Sequence, residues 1–354
     1  MVSGTAIIIT GELFDSVYAK TAHGLVRGSD RFTIVGVIDE KSQGKDAGEV
    51  LDGKNRNIPI YASVSDFINS GKTADYAIIG VATKGGVIPD SMRKIIGTAI
   101  EQKINIVNGL HEHMNNIPAL VSLATKHGVE LIDIRKPKPF GEAKFWSGGV
   151  MEITCPKIAV LGTDCALGKR TTTRFITEDL QQKGINAQMI YTGQTGWMQG
   201  AKHGFIFDAT LNDFISGEIE AAMVACFREE NPDLIVIEGQ SSLRNPSGPC
   251  GSEFIISGRL DGVVLQHNPA RKHYKDMEYY PDLIAQPKDE IELIRILGAP
   301  TLAVTLNTKG FTLEEAKEYQ QALEKELGIP VILPLEEGVD RLSDILKKLI
   351  KSNK

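Results

Sequence analysis

Short apolar runs alternate along the chain with longer stretches in which apolar residues recur at helical spacing. In the first part of the chain the helical pattern is clearest at 90–102 and 117–127. Strands that alternate with helices predict a parallel sheet with helices on both faces. The runs that we interpret as buried strands are 6–9, 32–38, 76–81, 104–107 and 131–134.

The same alternation begins again after residue 150 and predicts a second α/β domain. Between the two, residues 136–150 are rich in Pro, Gly and charge, which is typical of a domain connection. We therefore predict domains at 1–135 and 151–354, joined by a linker at 136–150. The runs that predict strands in the second domain are 158–161, 187–191, 234–237, 262–266, 300–306 and 330–334.

Composition narrows the class of protein without naming a function. Of the 354 residues, 42% are hydrophobic and 24% are charged, as in ordinary globular proteins. The net charge of -6 argues against a general nucleic-acid binder, which needs clustered basic residues. The four cysteines form no Cys-x-x-Cys pair, so we expect neither a zinc site nor a redox motif.

The chain shows neither a signal-peptide pattern nor an apolar run of the ~20 residues that a membrane span needs. We therefore expect a cytoplasmic protein that acts on a small molecule and has no membrane or nucleic-acid partner. We also expect a homo-oligomer.

The strongest local signal is a glycine-rich turn between an apolar run and a helical pattern. Unpaired amides at a helix N-terminus, together with a Lys at its start, are typical of phosphate binding. The turn departs from the usual pattern, because five residues separate its glycines and an Arg stands where a Ser or Thr is usual. The alternative is a strand-to-helix turn without a ligand. The candidate phosphate-binding residues of this P-loop are Gly162, Thr163, Asp164, Gly168, Lys169, Arg170 and Thr171.

Polar residues end three later strands, at the edge of a parallel sheet where ligands bind. Glu238 stands where P-loop proteins hold a metal ion directly or through water, although a chance position is the alternative. His267 is a candidate general base, and a purely structural His is the competing interpretation. Asn307 could contact a nucleotide base or only close a turn.

Further candidates lie in polar segments. Asp208 could act as a base, or it could cap a helix. Arg244, in the polar stretch 241–252, and Arg271 could bind the carboxylates of an acidic substrate. Asp39 follows the second predicted strand, where a dinucleotide fold holds a ribose. The first turn has no Gly-x-Gly-x-x-Gly, so a solvated strand terminus is an equal interpretation of Asp39.

The P-loop with its five-residue gap, followed later by Glu238, resembles that of dethiobiotin synthetase and its relatives. This resemblance implies that Lys169 contacts phosphate and that Asp164 and Glu238 lie near a metal ion. Arg170 departs from the Thr of those proteins, which is the residue that would offer a hydroxyl to the metal.

A closer resemblance, over essentially the whole chain, is to the DgcN-like family, long described as a domain of unknown function. The motifs that carry it are 162–171, 238–241 and 244–249. The resemblance implies an α/β protein with an N-terminal Rossmann-like parallel-sheet domain and a C-terminal P-loop NTPase-like domain. Because members include a D-glutamate N-acetyltransferase, it also implies an N-acyltransferase that uses acetyl-CoA.

Three functions remain in competition. We favour an acetyl-CoA-dependent N-acetyltransferase of an acidic amino acid, D-glutamate, in which the P-loop holds the phosphates of CoA. His267, or less well Asp208, would then accept the proton of the amine. The alternative is an ATP-dependent ligase or kinase of the dethiobiotin synthetase type, in which Lys169 and a Mg²⁺ ion held by Glu238 stabilise phosphoryl transfer. A non-enzymatic nucleotide sensor is the third.

Overall fold

The computed structural model describes residues 2–353, which pack as two compact units. Unit 1 runs to Pro137 and also includes Gln194–Ala201. Unit 2 comprises Lys138–Gly193 and the chain from Lys202 onward. Each unit is built on one parallel sheet with helices beside it, so the predicted α/β fold class is confirmed. The domain boundaries and the linker given from the sequence stay predictions.

Unit 1 is a doubly wound sheet in the order β3-β2-β1-β4-β5-β6, with every strand parallel to its neighbours. This is the strand order of dinucleotide-binding Rossmann folds. Its strands are β1 (Gly4–Ile9), β2 (Phe32–Ile38), β3 (Ile60–Tyr61), β4 (Tyr76–Ile79), β5 (Asn105–Asn108) and β6 (Leu131–Asp133). Its helices are α1 (Lys20–Arg27), α2 (Ala47–Asp52), α3 (Val64–Asn69), α4 (Asp90–Glu101), α5 (Pro118–His127) and α7 (Gln194–Met198).

Asp39, at the end of β2, has a structural role in unit 1. Its side chain is buried and accepts hydrogen bonds from Thr10 Oγ1 at 2.8 Å, Phe14 N at 2.9 Å and Ser42 N at 3.0 Å. The carboxylate therefore fastens the ends of β1 and β2 to each other. It is not a solvated strand terminus, and both of its oxygens are engaged by the protein rather than open to a ribose.

A short segment of the second half of the sequence completes unit 1. In α7 and the residues after it, Met198 is fully buried, and Thr195 Oγ1 lies 2.9 Å from Thr21 Oγ1. Gln199 Nε2 donates to the carbonyl of Gly24 at 2.8 Å. Polar residues and glycines around 192–200 are typical of a loop, and this pattern gives no sign that the segment packs into another unit's core.

Unit 2 has a seven-stranded parallel sheet in the order β13-β12-β11-β7-β10-β8-β9. Its strands are β7 (Lys157–Gly162), β8 (Ala187–Tyr191), β9 (His203–Gly204), β10 (Leu234–Glu238), β11 (Gly262–His267), β12 (Thr301–Leu306) and β13 (Val331–Ile332). Its helices are α6 (Lys169–Gln182), α8 (Asn212–Glu230), α9 (Ser252–Ser257), α10 (Pro287–Ile296), α11 (Leu313–Leu327) and α12 (Asp340–Ser352).

Both faces of this sheet are covered, which explains its continuous apolar strands. Successive residues of β7 point to opposite faces. Val160 packs with Ile176 of α6 and Leu346 of α12, and Leu161 packs in the other layer with Met223 of α8. The polar ends of the strands are the part of the sheet left for chemistry. Among residues 2–353, no helix is long and apolar enough to cross a membrane.

Candidate active site

The P-loop has the backbone geometry of an anion-binding turn. β7 ends at Gly162, and α6 begins at Lys169 directly after Gly168. Gly168 has φ +105°, a value that L side chains rarely adopt. A Cβ on Gly162 would lie 3.1 Å from the carbonyl oxygen of Gln266 and 3.1 Å from Lys169 Cδ. Glycine is therefore favoured at the two positions for different reasons, at 168 by the dihedral angle and at 162 by close approach.

The ammonium of Lys169 is held inside the loop. Its Nζ donates to the carbonyl oxygens of Asp164 and Ser241, each at 2.7 Å, and its side chain is buried. The first partner belongs to the P-loop and the second to the segment after β10. Both are neutral carbonyls, so a phosphate oxygen in place of either would add the attraction of an anion to the hydrogen bond of the ammonium.

Asp164 joins three segments of unit 2. Its completely buried carboxylate accepts from Asn245 Nδ2 through Oδ1 at 2.8 Å. Its Oδ2 accepts from Arg271 Nη1 and from the backbone N–H of Lys275, each at 2.8 Å. Arg271 Nη1 also donates to the carbonyl of Cys165 at 2.7 Å. Both carboxylate oxygens are thus engaged by the protein, and Arg271 pairs with an acid of its own chain.

His267 ends β11 beside the P-loop. Its Nδ1 lies 2.9 Å from Thr163 Oγ1, and its side chain is buried. Burial, followed by the positive charge of Arg271, lowers the pKa of His267 from its ordinary value of 6.5 to about 4. The imidazole is therefore neutral at neutral pH. It is free to accept a proton, but a base of such low pKa gives little driving force.

Glu238 ends β10 and faces the end of β8. Its Oε2 accepts from Thr192 N at 3.1 Å, and its side chain is only 6% exposed. Burial raises the pKa of Glu238, and the positive charge of Arg170 is the strongest influence in the opposite direction. The P-loop residue that departs from the usual pattern is thus an electrostatic partner of this strand-end acid. The metal-binding role of Glu238 stays a prediction.

Asn307 touches the P-loop from β12. Its Nδ2 donates to the carbonyl of Leu167 at 2.9 Å, and its Oδ1 accepts from Lys309 N at 3.0 Å. The side chain both closes the turn after β12 and supports the loop, so it lies where the sequence predicts. A contact between Asn307 and a nucleotide base stays a prediction.

Arg244 forms an ion pair with a buried acid. Its Nε donates to Glu290 Oε1 at 2.6 Å, and its side chain is 41% exposed. Glu290 is completely buried, and its Oε2 has no hydrogen-bond partner. Burial raises the pKa of Glu290, and the charge of Arg244 opposes that rise. The Nε–Glu290 bond orients the guanidinium, and a second acid, Asp289, lies 3.8 Å from Nη2 on its exposed side.

Asp208 lies apart from His267. Its exposed side chain is in the single turn Phe207–Ala209, which Phe207 N joins to the carbonyl of Thr192 at the end of β8. Three strand spacings, about 14 Å, separate β8 from β11 in this sheet. The two base candidates therefore occupy different parts of the strand-end edge. Thr171 is half-buried in the first turn of α6.

Three residues of the site could not be singled out from the sequence. Gln266 Oε1 accepts from Thr172 Oγ1 at 2.6 Å and from Thr305 Oγ1 at 2.8 Å, so it positions the strand that carries His267. A polar residue within an apolar run is the signal that could have found it. Asn245 lies within a long polar stretch that offers no reason to single it out. Glu290 resembles any acid in the first turn of a helix.

Among the described residues, one group of His and acids is close enough to share a metal ion. It comprises His203, Glu229 and Glu230. The ammonium of Lys202 pairs with both carboxylates, at 3.1 Å from Glu229 and also against Glu230. A cation of the chain thus already balances this cluster, which lies away from the P-loop at the start of β9 and the end of α8.

Two family models match the chain, one in each half. Residues 144–343 match a model described as a domain of unknown function, the DUF1611_C P-loop domain. Residues 40–137 match the DUF1611_N Rossmann-like domain. The chain belongs to the DUF1611 family. The sequence-based recognition of a family long described as a domain of unknown function, with Rossmann-like and P-loop domains, is confirmed.

Relatives of this DUF1611 protein carry a functional name. The D-glutamate N-acetyltransferase of a Pseudoalteromonas species is 29% identical over 270 residues, which cover 75% of this chain and 79% of the relative. That of Tritonibacter scottomollicae is 29% identical over 280 residues, covering 76% and 80%. These relatives confirm the prediction of an enzyme of the N-acyltransferase class.

A solved structure agrees with the fold over almost the whole chain. The crystal structure of a DUF1611 family protein from Anabaena variabilis superposes with a TM-score of 0.88 at 29% identity. The match covers 97% of this chain and 99% of that protein. Both domains of the DUF1611 protein described here therefore have counterparts in one solved chain.

Proposed function

We propose that this DUF1611 protein transfers the acetyl group of acetyl-CoA to the amino group of an acidic amino acid, D-glutamate. The observation that carries the proposal is the pair of cations at the start of α6. Lys169 is held by neutral carbonyls, and Arg170 acts on Glu238. Side chains thus supply the positive charge of an anion site, and CoA offers it a pyrophosphate and a ribose phosphate. The names of the two curated relatives support the same reaction.

The substrate carboxylates would bind Arg244 in preference to Arg271. Arg271 is committed to the buried carboxylate of Asp164, and removing it would leave that charge without its cation. Arg244 keeps an exposed portion while Glu290 fixes its Nε, and a substrate carboxylate would replace only the longer contact with Asp289, at 3.8 Å. A guanidinium oriented in this way can bind a carboxylate through two parallel hydrogen bonds.

Acetyl transfer requires a free amine. The ammonium of the amino acid gives a proton to a base, its nitrogen bonds to the thioester carbon, and the carbon–sulfur bond breaks. The nitrogen then loses its second proton as it becomes an amide, and the leaving thiolate takes up this proton, so that CoA leaves as a thiol. His267 is the base that we favour, because it is neutral and lies beside Thr163 of the P-loop. Asp208, in the turn Phe207–Ala209 that is hydrogen-bonded to Thr192, is the second candidate.

One observation favours a second function. Glu238 lies at the end of β10 near the P-loop cations, where an ATP-dependent ligase or kinase would use an acid to hold Mg²⁺. In that case Lys169 would stabilise the transferred phosphoryl group. Both oxygens of Asp164 are engaged by Asn245 and Arg271, which makes that acid a poorer fit for a divalent cation.

One experiment separates the two functions. The purified full-length protein is incubated with D-glutamate and acetyl-CoA, and separately with D-glutamate, ATP and Mg²⁺. Release of free CoA thiol together with N-acetylglutamate, detected by mass spectrometry, supports the proposal. ADP formation with no acetylated product contradicts it. L-Glutamate and D-glutamine serve as comparison substrates for chirality and for the side-chain carboxylate, and Lys169→Ala tests the P-loop in either reaction.

A further inference from the structure

Unit 2 exposes a group of large apolar side chains that the proposed reaction does not use. Phe140 is 76% exposed, Phe145 64% and Trp146 44%. Leu211 and Ile256 are 65% and 58% exposed. We call these five side chains the aromatic patch. Single exposed apolar residues are ordinary, whereas a contiguous group of them marks an interaction surface.

Ring contacts and hydrogen bonds link the parts of the chain that carry the aromatic patch. Phe214, at the start of α8, lies beneath it, with ring centroids 5.5 Å from Phe140 and 4.6 Å from Phe145. Leu211 is one turn earlier, since its carbonyl accepts from Phe214 N at 2.9 Å. Trp146 Nε1 donates to the carbonyl of Ser257 at 3.1 Å, next to Ile256. All five residues therefore lie near the first half of α8, which a 2.8 Å hydrogen bond between Ser216 and Ser257 joins to α9.

Two buried carboxylates of α8 hold the aromatic segment in place. Glu218 accepts from Lys144 N at 3.1 Å and also binds the ammonium of Lys138. Glu220 accepts from Ser147 N at 2.6 Å and from Val150 N at 3.1 Å. These bonds fix the backbone on both sides of the aromatic pair 145–146. The rings are therefore presented by a fastened segment, not by a loose linker.

Close backbone packing strengthens this arrangement. A Cβ on Gly217 of α8 would lie 2.0 Å from the carbonyl oxygen of Lys144, so only glycine lets the segment lie this close. Burying Glu218 and Glu220 costs free energy that their hydrogen bonds must offset. This construction nevertheless leaves Phe140 and Phe145 mostly exposed. A monomer gains nothing from rings held in water, whereas a partner surface would bury them.

The size and chemistry of the aromatic patch fit a second copy of the chain. Its three aromatic side chains expose roughly 300–450 Å², if an aromatic side chain offers about 150–250 Å², and Leu211 and Ile256 add to this area. A standard interface buries about 800 Å² on each partner. None of the five carries a charge, and the exposed neighbours Lys138, Glu142 and Lys144 carry charges of both signs. Charge depletion and aromatic enrichment are typical of the centre of homodimer interfaces.

We propose that the aromatic patch is the contact of a homodimer with two-fold symmetry, in which each copy seats its patch against that of the other. The test measures the oligomeric state of the full-length protein by sedimentation equilibrium over a range of concentrations. The wild type is expected to be a dimer. The double variant F145S/W146S is expected to weaken dimerisation at least about 100-fold, because buried aromatic anchors carry most of the energy of an interface.

A matched control separates this patch from apolar surface in general. Tyr279 and Leu283 are 82% and 58% exposed elsewhere in unit 2, and Y279S/L283S should remain dimeric. A second disrupting variant, F140S/L211S, guards against misfolding of the first, and circular dichroism checks that both are folded. A wild-type monomer, or a dimer that survives in both folded patch variants, would overturn the proposal. So would a wild-type monomer that binds phosphatidylcholine–phosphatidylserine vesicles through the patch.

Discussion

The guanidinium of Arg271 lies 2.8 Å from Asp164 Oδ2, and the Asp164 side chain is completely buried. This ion pair fastens the segment after β11 to the P-loop. Removing the cation would leave a buried carboxylate with only Asn245 and a backbone N–H as partners. We expect Arg271→Met to lower the free energy of unfolding by about 3 kcal/mol, measured by urea denaturation.

The exposed pair of Arg295 and Glu292 on α10 is the matched control for that measurement. Its Nη2–Oε1 distance is also 2.8 Å, but both side chains are more than half exposed. Arg295→Met should therefore cost at most about 1 kcal/mol, since exposed ion pairs contribute little. Equal losses for the two variants would contradict the structural role of the Asp164–Arg271 pair.

We expect Lys169 to strengthen the binding of ligands that carry phosphates and to have no effect on ligands that lack them. Replacing it with Ala removes the ammonium held at the start of α6. We expect the Kd of CoA to rise about 10- to 100-fold, because hydrogen bonds to charged groups contribute about 1.5–3 kcal/mol. The Kd of pantetheine, which has the same thiol arm without phosphates, should stay unchanged. Isothermal titration calorimetry measures both values.

Lys183 supplies the control for the Lys169 variant. It follows α6 at the opposite end and pairs with Asp179 and Asp340. Lys183→Ala removes one positive charge near the same helix and should leave the CoA affinity within about twofold of wild type, since screening weakens charges beyond ~10 Å. Loss of CoA and pantetheine binding together in Lys169→Ala would mean that the lysine only maintains the fold.

Much of the fold could be predicted from sequence, because parallel strands that are buried on both faces consist of continuous apolar runs. The run before Gly162 predicts β7, and the polar residues that follow later strands predict where the site lies. Pairs of residues that are far apart in the sequence could not be predicted. Nothing local indicates that Arg244 meets Glu290, or that Arg170 acts on Glu238.

The residues that close unit 1 illustrate the same limit. Gln194–Ala201 follows a strand of unit 2, and its composition is typical of a turn. Its place in unit 1 depends on partners far away in sequence, such as Thr21 and Gly24. The two buried acids of α8 are a comparable case, because a helix pattern with Glu218 and Glu220 predicts exposed charges. Only the partners at 144–150 explain their burial.

Arg244 offers a test of substrate recognition. Arg244→Lys keeps the charge but loses the planar fork that binds a carboxylate with two hydrogen bonds. We expect the KM for D-glutamate to rise about tenfold or more, while the KM for acetyl-CoA stays unchanged. Steady-state kinetics with each substrate varied in turn gives both values. Arg228→Lys, at an exposed arginine that pairs with Glu152, is the control. A rise in the KM for acetyl-CoA alone would assign Arg244 to the CoA site instead.

His267 should make folding stability depend on acid pH. Burial lowers the pKa of His267 from 6.5 to about 4 in the folded protein. Between these two pH values the unfolded chain binds a proton at His267 and the native state does not. Stability from this residue is therefore complete above pH 6.5 and falls as the pH drops to about 4, by about 3 kcal/mol in total.

His267→Gln removes this dependence. Urea denaturation of both proteins at pH 7, 5.5 and 4 should show the wild type losing its advantage over the variant as the pH falls. A difference that stays constant across this range would mean that His267 titrates alike in both states, and the buried neutral imidazole proposed as the base would have to be abandoned.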